Sequence, residues 1–162
     1  MKQDFAQAFA TTPQAPQAII LMGLQASGKT TLAQSRLCPL GYVRINLDEL
    51  HTRHREQQLM QQCIGKGLSF VVDNTNATTA DRQRYIEPAH EASYRVVGIF
   101  VRSVLRDCLR RNALRSRQVP TLALAHTSRI LQLPSLSEGF DELWFCEIIN
   151  QDFRLSKWIE QQ

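Results

Sequence analysis

No two of the four cysteines, Cys38, Cys63, Cys108 and Cys146, form a C-x-x-C pair. Each lies within or beside an apolar periodic segment, so buried free thiols in a reducing compartment are expected and a zinc site is not. His51, His54, His90 and His126 also lack metal-ligand spacing. No apolar run approaches the roughly 20 residues of a membrane-spanning helix, so no membrane partner is expected. Residues 1–17 hold one lysine, scattered Ala and Phe, Pro13 and Pro16, but no apolar core of a signal peptide. They read as a flexible leader, at most loosely packed, before a single domain over 18–162, with the cytoplasm as default location. Repeats and low-complexity tracts are missing. Acid is scarce in one place: residues 102–129 hold seven arginines against Asp107 alone. That imbalance suggests a polyanion, either a nucleotide or a nucleic acid, with a solvated basic face as the alternative for Arg102, Arg106 and Arg110.

What is present is a soluble globular composition, 43% hydrophobic and 21% charged over 162 residues, enough for one core. The most informative stretch is Gly23-Leu24-Gln25-Ala26-Ser27-Gly28-Lys29-Thr30, which satisfies G-x-x-x-x-G-K-[ST] at every fixed position. An apolar run, Ala18 to Met22, precedes it, and helically spaced apolar residues follow from Thr31. Glycines let the backbone curl its N–H groups inward into an anion nest at a helix start. Gly23, Gln25, Ala26, Ser27, Gly28, Lys29, Thr30 and Thr31 are therefore the expected binders of a nucleoside triphosphate. Lys29 meets the β/γ-phosphates, and the Thr30 hydroxyl ligates Mg²⁺.

Further along, Tyr42–Asn46 reads as a strand, and a helix runs from Asp48 to about Ile64, stopped at Gly65–Gly67. Leu68–Val72 is a strand and Thr78 or Thr79 caps a helix to about Ala92. A strand over 94–101, helices over 104–114 and 121–131, and a strand over 143–149 follow. The stretch 153–158 is expected to add no more than a turn or small strand. Strands alternating with helices predict an α/β fold, a parallel sheet of about five strands with helices on both faces and a small helical lid.

Ligands of such sheets sit beyond the carboxyl ends of the strands, which singles out the P-loop, Asn46–Asp48, Asp73–Asn76 and Arg102. Asp48 is either a helix N-cap or a carboxylate placed to deprotonate a hydroxyl acceptor. Asp73 ends an apolar strand where a Walker-B aspartate would hold Mg²⁺, or is a turn former before Asn-Thr-Asn. The absence of Glu after Asp73 and of N-K-x-D argues against an ATP-driven motor and a GTPase. Arg111 and Arg115, a helical turn apart on the lid, are candidates to close over the phosphates.

These residues in this order resemble the 5′-hydroxyl polynucleotide kinase family of P-loop kinases, from about Ile19 to Ile148. Beyond the P-loop, the likeness rests on Tyr42-Val43-Arg44-Ile45-Asn46-Leu47-Asp48, Gly65–Gly67 leading to Val72–Asn76, Arg111–Arg115 with Val119-Pro120, and Pro134 with Glu138–Phe140. The resemblance implies ATP and Mg²⁺ as cofactors, Asp48 as general base, Lys29 and Arg115 as catalytic cations, and Thr30 and Asp73 at the metal. Arg111 and Arg117 would lie nearby. It implies transfer to a hydroxyl, with the 5′-OH end of DNA or RNA favoured as acceptor. Kinases of the same clan acting on a small metabolite or nucleoside, a zeta-toxin-like kinase, and an ATP-binding regulatory module without transfer are the alternatives. Family members commonly carry Arg between the Asn and the catalytic Asp, where this chain has Leu47. They also use a basic residue three after the base, where it has His51.

Overall fold

Apolar runs become strands in the computed structural model, which describes residues 4–10 and 15–160. They are β1 (Gln17–Met22), β2 (Val43–Ile45), β3 (Phe70–Asp73), β4 (Arg95–Val101) and β5 (Glu142–Ile149). These five are parallel, and β6 (Asp152–Lys157) adds antiparallel to β5, giving the order β2-β3-β1-β4-β5-β6. The tail expected to form a turn or small strand is thus a full strand of the sheet. A two-residue turn, Asn150 at φ 51° and Gln151 at φ 63°, reverses the chain before it. Turns with positive φ at both central residues match the twist of paired strands.

Central β1 is buried along both faces, as expected of a parallel strand covered by helices on each side. Its side chains alternate. Ala18, Ile20 and Met22 join Phe70, Val72, Val96 and Phe100 on one face. Ile19 and Leu21 join Val71, Val97, Ile99 and Val101 on the other. The second face is covered by α1 (Phe5–Phe9) and by α2 (Lys29–Leu32), which continues through a wider turn over Ala33–Leu37. The first carries α4 (Arg53–Lys66) and α5 (Thr79–Glu91), the latter started by a Thr78–Asp81 capping box. The chain leaves β1 toward one face and β3 toward the other, so a crevice opens between their carboxyl ends. A smaller cluster of Leu24, Cys108 and Leu124 joins α6 (Leu105–Ala113) and α7 (Thr121–Ile130) to the P-loop. This pair is the expected helical lid. Cys63, Cys108 and Cys146 are buried free thiols and Cys38 is half-buried.

Two expectations change. The helix read from Asp48 to Ile64 is broken: α3 (Leu47–Leu50) ends at His51, whose φ is 70°, and Thr52 caps α4 afresh. In the stretch read as a flexible leader, residues 1–3 and 11–14 lie outside the described residues. Within the rest, Phe5 and Phe9 pack into the core. Phe9 is fully buried with its ring 5.9 Å from that of Trp144, and its carbonyl accepts from the Tyr42 hydroxyl at 2.9 Å. Aromatics four apart on one helical turn share a face, which no binary reading of a short polar segment reveals. Phe9→Ala should therefore cost about 3 kcal/mol or more, as large-to-small core changes do, read from equilibrium urea unfolding. A peripheral leader would give a change near zero.

Candidate active site

The crevice forms a cleft of about 460 Å³ at the strand ends. Gln25, Ala26, Gly28, Lys29, Thr30 and Thr31 line it from the P-loop, Asp48 and Asp73 from the ends of β2 and β3, and Arg111 and Arg115 from the lid. Of the sequence-predicted set, Gly23 and Ser27 sit behind the lining and hold Lys29 instead. The Lys29 ammonium donates to the Gly23 carbonyl at 2.8 Å and the Leu24 carbonyl at 2.7 Å, with Ser27 Oγ at 3.5 Å. Arg117 and exposed His51 are not among the lining residues.

Close packing dictates the glycines. Gly23 has φ 146°, and a Cβ there would fall 2.7 Å from Ser103 Oγ and 2.9 Å from the Val101 carbonyl oxygen. Gly28, at φ 109°, opens α2, and a Cβ would meet Ile148 Cδ1 at 2.9 Å. The first N–H groups of a helix lack partners within it, so this turn presents donors to an anion beside the lysine.

Burial pushes the Lys29 pKa down to about 8, with the Asp73 carboxylate opposing. The folded chain gives up this proton at lower pH than the unfolded chain. The group's contribution to stability therefore rises as pH climbs from about 8 toward 10.5. Anion binding needs the ammonium, so the two demands run opposite ways.

Asp73 is 2% exposed. Its Oδ2 accepts from the Thr30 hydroxyl at 2.9 Å and from Arg44 Nε at 2.7 Å. A hydroxyl and one carboxylate are hard oxygen donors of the kind Mg²⁺ takes alongside phosphate oxygens and water. Among the described residues no group of three His, Cys, Asp or Glu forms an all-protein cage. That sparse donor set fits Mg²⁺ better than Zn²⁺ or Ca²⁺.

The cap reading of Asp48 gives way to its neighbour. Asn46 is the N-cap of α3, its Oδ1 accepting from Glu49 N at 3.0 Å while its Nδ2 donates to the Asp73 carbonyl at 2.7 Å. Asp48 is left exposed on the cleft wall.

The sequence singles out Asn74 within Asp73–Asn76 but not its contacts, and several other contributors carry no sequence signal. Asn74 Oδ1 accepts from Leu47 N at 2.9 Å, and its Nδ2 donates to Glu56 Oε2 at 2.8 Å and to the Tyr85 hydroxyl at 3.1 Å. Glu56, 4% exposed, also accepts from Tyr85 and Arg53. This buried network fixes the start of α3 and so the position of Asp48. Asn112 clamps the lid loop, donating to the Val119 carbonyl at 2.7 Å and accepting from Val119 N at 3.0 Å. Ile148, Gln151 and Phe153 of the β5–β6 hairpin also line the cleft. A network partner such as Glu56, on the far side of a helix break, gives no periodic signal.

Two measurements check these assignments. Asn74→Ala leaves Glu56 Oε2 and the Leu47 N–H short of partners and should lower stability by about 2 kcal/mol, read by denaturant unfolding. Nucleotide affinity should fall as pH rises through about 8, and binding near that pH should take up protons, seen by calorimetry in buffers of different ionisation enthalpy. Lys29→Met should abolish the uptake.

Residues 19–62 and 52–134 match the AAA_33 family, described as an AAA domain. Over 127 residues the chain is 32% identical to the bifunctional polynucleotide phosphatase/kinase of Schizosaccharomyces pombe, covering 75% of this chain and 31% of that protein. The chain thus spans under a third of that relative's length. Among solved structures it is similar to a gluconokinase from Sinorhizobium meliloti 1021 (19% identity, TM-score 0.59, 82% of each chain covered). It is also similar to Chaetomium thermophilum Kti12 in complex with ADP-AlF3 (16% identity, TM-score 0.61, 79% of this chain and 87% of that one). Both likenesses concern the fold. The chain belongs to the AAA_33 family and is related in sequence to the bifunctional polynucleotide phosphatase/kinase over that shared stretch.

Proposed function

We propose that this protein is a kinase that transfers the γ-phosphate of ATP to the 5′-hydroxyl end of a DNA or RNA strand, with Asp48 as general base. The observation that carries the reading is the release of Asp48 from capping. Asn46 satisfies the start of α3, and the Asp48 carboxylate faces the cleft that Lys29 and Thr30 line. It accepts no hydrogen bond from the described residues, so it is available to an acceptor hydroxyl.

In the step itself, the acceptor oxygen bonds to the γ-phosphorus while the bond to the β–γ bridging oxygen breaks, releasing ADP. The hydroxyl proton passes to Asp48. Lys29 shifts from the Gly23 and Leu24 carbonyls to the phosphate oxygens, a short move within the P-loop. Mg²⁺, when bound near Thr30 and Asp73, would neutralise charge on the β- and γ-phosphates. Arg111 and Arg115 bring two further charges from the lid and have no ion-pair partner among the described residues. Positioning and charge stabilisation supply most of the rate. The nucleic-acid acceptor is supported by the likeness to the phosphatase/kinase and by the arginine-rich stretch 102–129.

Labelled ATP with Mg²⁺ and 5′-OH oligonucleotides tests the reading. Asp48→Asn should lower transfer by about 10²- to 10⁴-fold, the usual scale for general acid–base catalysis, with nucleotide binding retained. Labelling of small metabolites with no labelled oligonucleotide would overturn the acceptor assignment. Undiminished transfer by Asp48→Asn would overturn the base.

A further inference from the structure

Arg44 is not part of the cleft lining, yet it reaches the most buried acid there. Its Nε donates to Asp73 Oδ2 at 2.7 Å and its Nη1 to Glu49 Oε1 at 2.6 Å. The arginine side chain is 12% exposed, that of Asp73 2% and that of Glu49 67%. One guanidinium thus joins the carboxylate beside Thr30 to the residue that follows Asp48 on α3. A buried carboxylate without a compensating charge is strongly destabilising. Arg44 supplies that charge from within the chain, so Asp73 is paired and oriented without a metal.

The same arrangement has a second effect. A cation already in contact with Asp73 opposes the approach of another, and charges near a protein interior interact more strongly than in water. Glu49 draws part of the guanidinium's charge outward toward solvent. We propose that Arg44 is a resident counter-cation that sets the Mg²⁺ requirement of nucleotide binding, with Glu49 moderating its strength. The inference rests on the Mg²⁺–nucleotide reading of the cleft and is independent of the acceptor.

The test is titration of the whole chain with MgCl₂ in the presence of a fluorescent ADP analogue, followed by binding rather than turnover. Arg44→Gln, which keeps a donor toward Asp73 but removes the charge, should lower the Mg²⁺ concentration at half-saturation by about three- to tenfold. Arg44→Lys, which keeps the charge, should stay within about twofold of the unmodified protein. Glu49→Gln leaves the full guanidinium charge on Asp73 and should move the midpoint the other way, to higher Mg²⁺. Loss of a merely structural strut would not shift the two neutralised variants in opposite directions. A midpoint unchanged in Arg44→Gln, or moved downward in Glu49→Gln, overturns the proposal. If Arg44→Gln does not fold, Glu49→Gln still decides it, since an unmoved midpoint there overturns it equally. Nucleotide binding by the unmodified chain that ignores Mg²⁺ would remove the metal reading and this proposal together. A failure to phosphorylate oligonucleotides would touch neither.

Discussion

A carboxylate taken out of water must be compensated, and the needs of Asp73 organise this site. It ends β3 at the floor of the cleft, where only 2% of its surface is left to solvent. Thr30 comes to it from the start of α2 and Arg44 from the neighbouring strand. Even its backbone carbonyl is used, accepting from the residue that caps α3. Three consecutive strand ends are thereby held in one arrangement, and the groups along the cleft inherit their spacing from it. The sheet register contributes the rest, pairing Leu21 with Asp73 where β1 gives way to the P-loop.

The cleft has two kinds of wall. Toward β2 and β3 it carries carboxylates, amides and hydroxyls, among which Asp73, Asn46 and Asn74 are tied into backbone or buried partners while Asp48 is left open. Toward the hairpin and lid it carries Ile148, Phe153 and Val119 with the arginines above them. Polar partners in a low-dielectric surround exert stronger effects than in water, so the apolar side strengthens the charged one. The lid has a much smaller core of its own than either sheet face, Leu24, Cys108 and Leu124 at its centre. Elements with few buried contacts are those that open at least cost. Gln25 reaches the lid directly, donating to Thr127 Oγ1 at 3.1 Å, so the P-loop and α7 are linked.

Much of this was legible in the sequence because it is local. A glycine-rich turn between an apolar run and a helical pattern, and polar residues directly after strands, announced the P-loop, Asp48 and Asp73 without any knowledge of pairing. What stayed hidden joins residues far apart. The Arg44–Asp73 pair spans 29 positions, and the Asn74 contacts to Leu47 and Glu56 span 27 and 18. Periodicity reports which face of an element is apolar, not which polar group meets which. The break at His51 was concealed for another reason. Its positive φ is uncommon for a non-glycine residue, and the chain resumes helix at once under a fresh threonine cap. Likewise β6 is weakly apolar because only Leu155 of its six residues is buried.

That last strand decides how the sheet ends. A parallel sheet left open would present unpaired N–H and C=O groups to other chains at both sides. On one side β2 is only three residues long, too short a template to extend. On the other, β6 covers β5 and turns Arg154, Ser156 and Lys157 to the exterior. Short edges and charged edges are the two usual defences against strand addition and aggregation. The chain uses one at each margin.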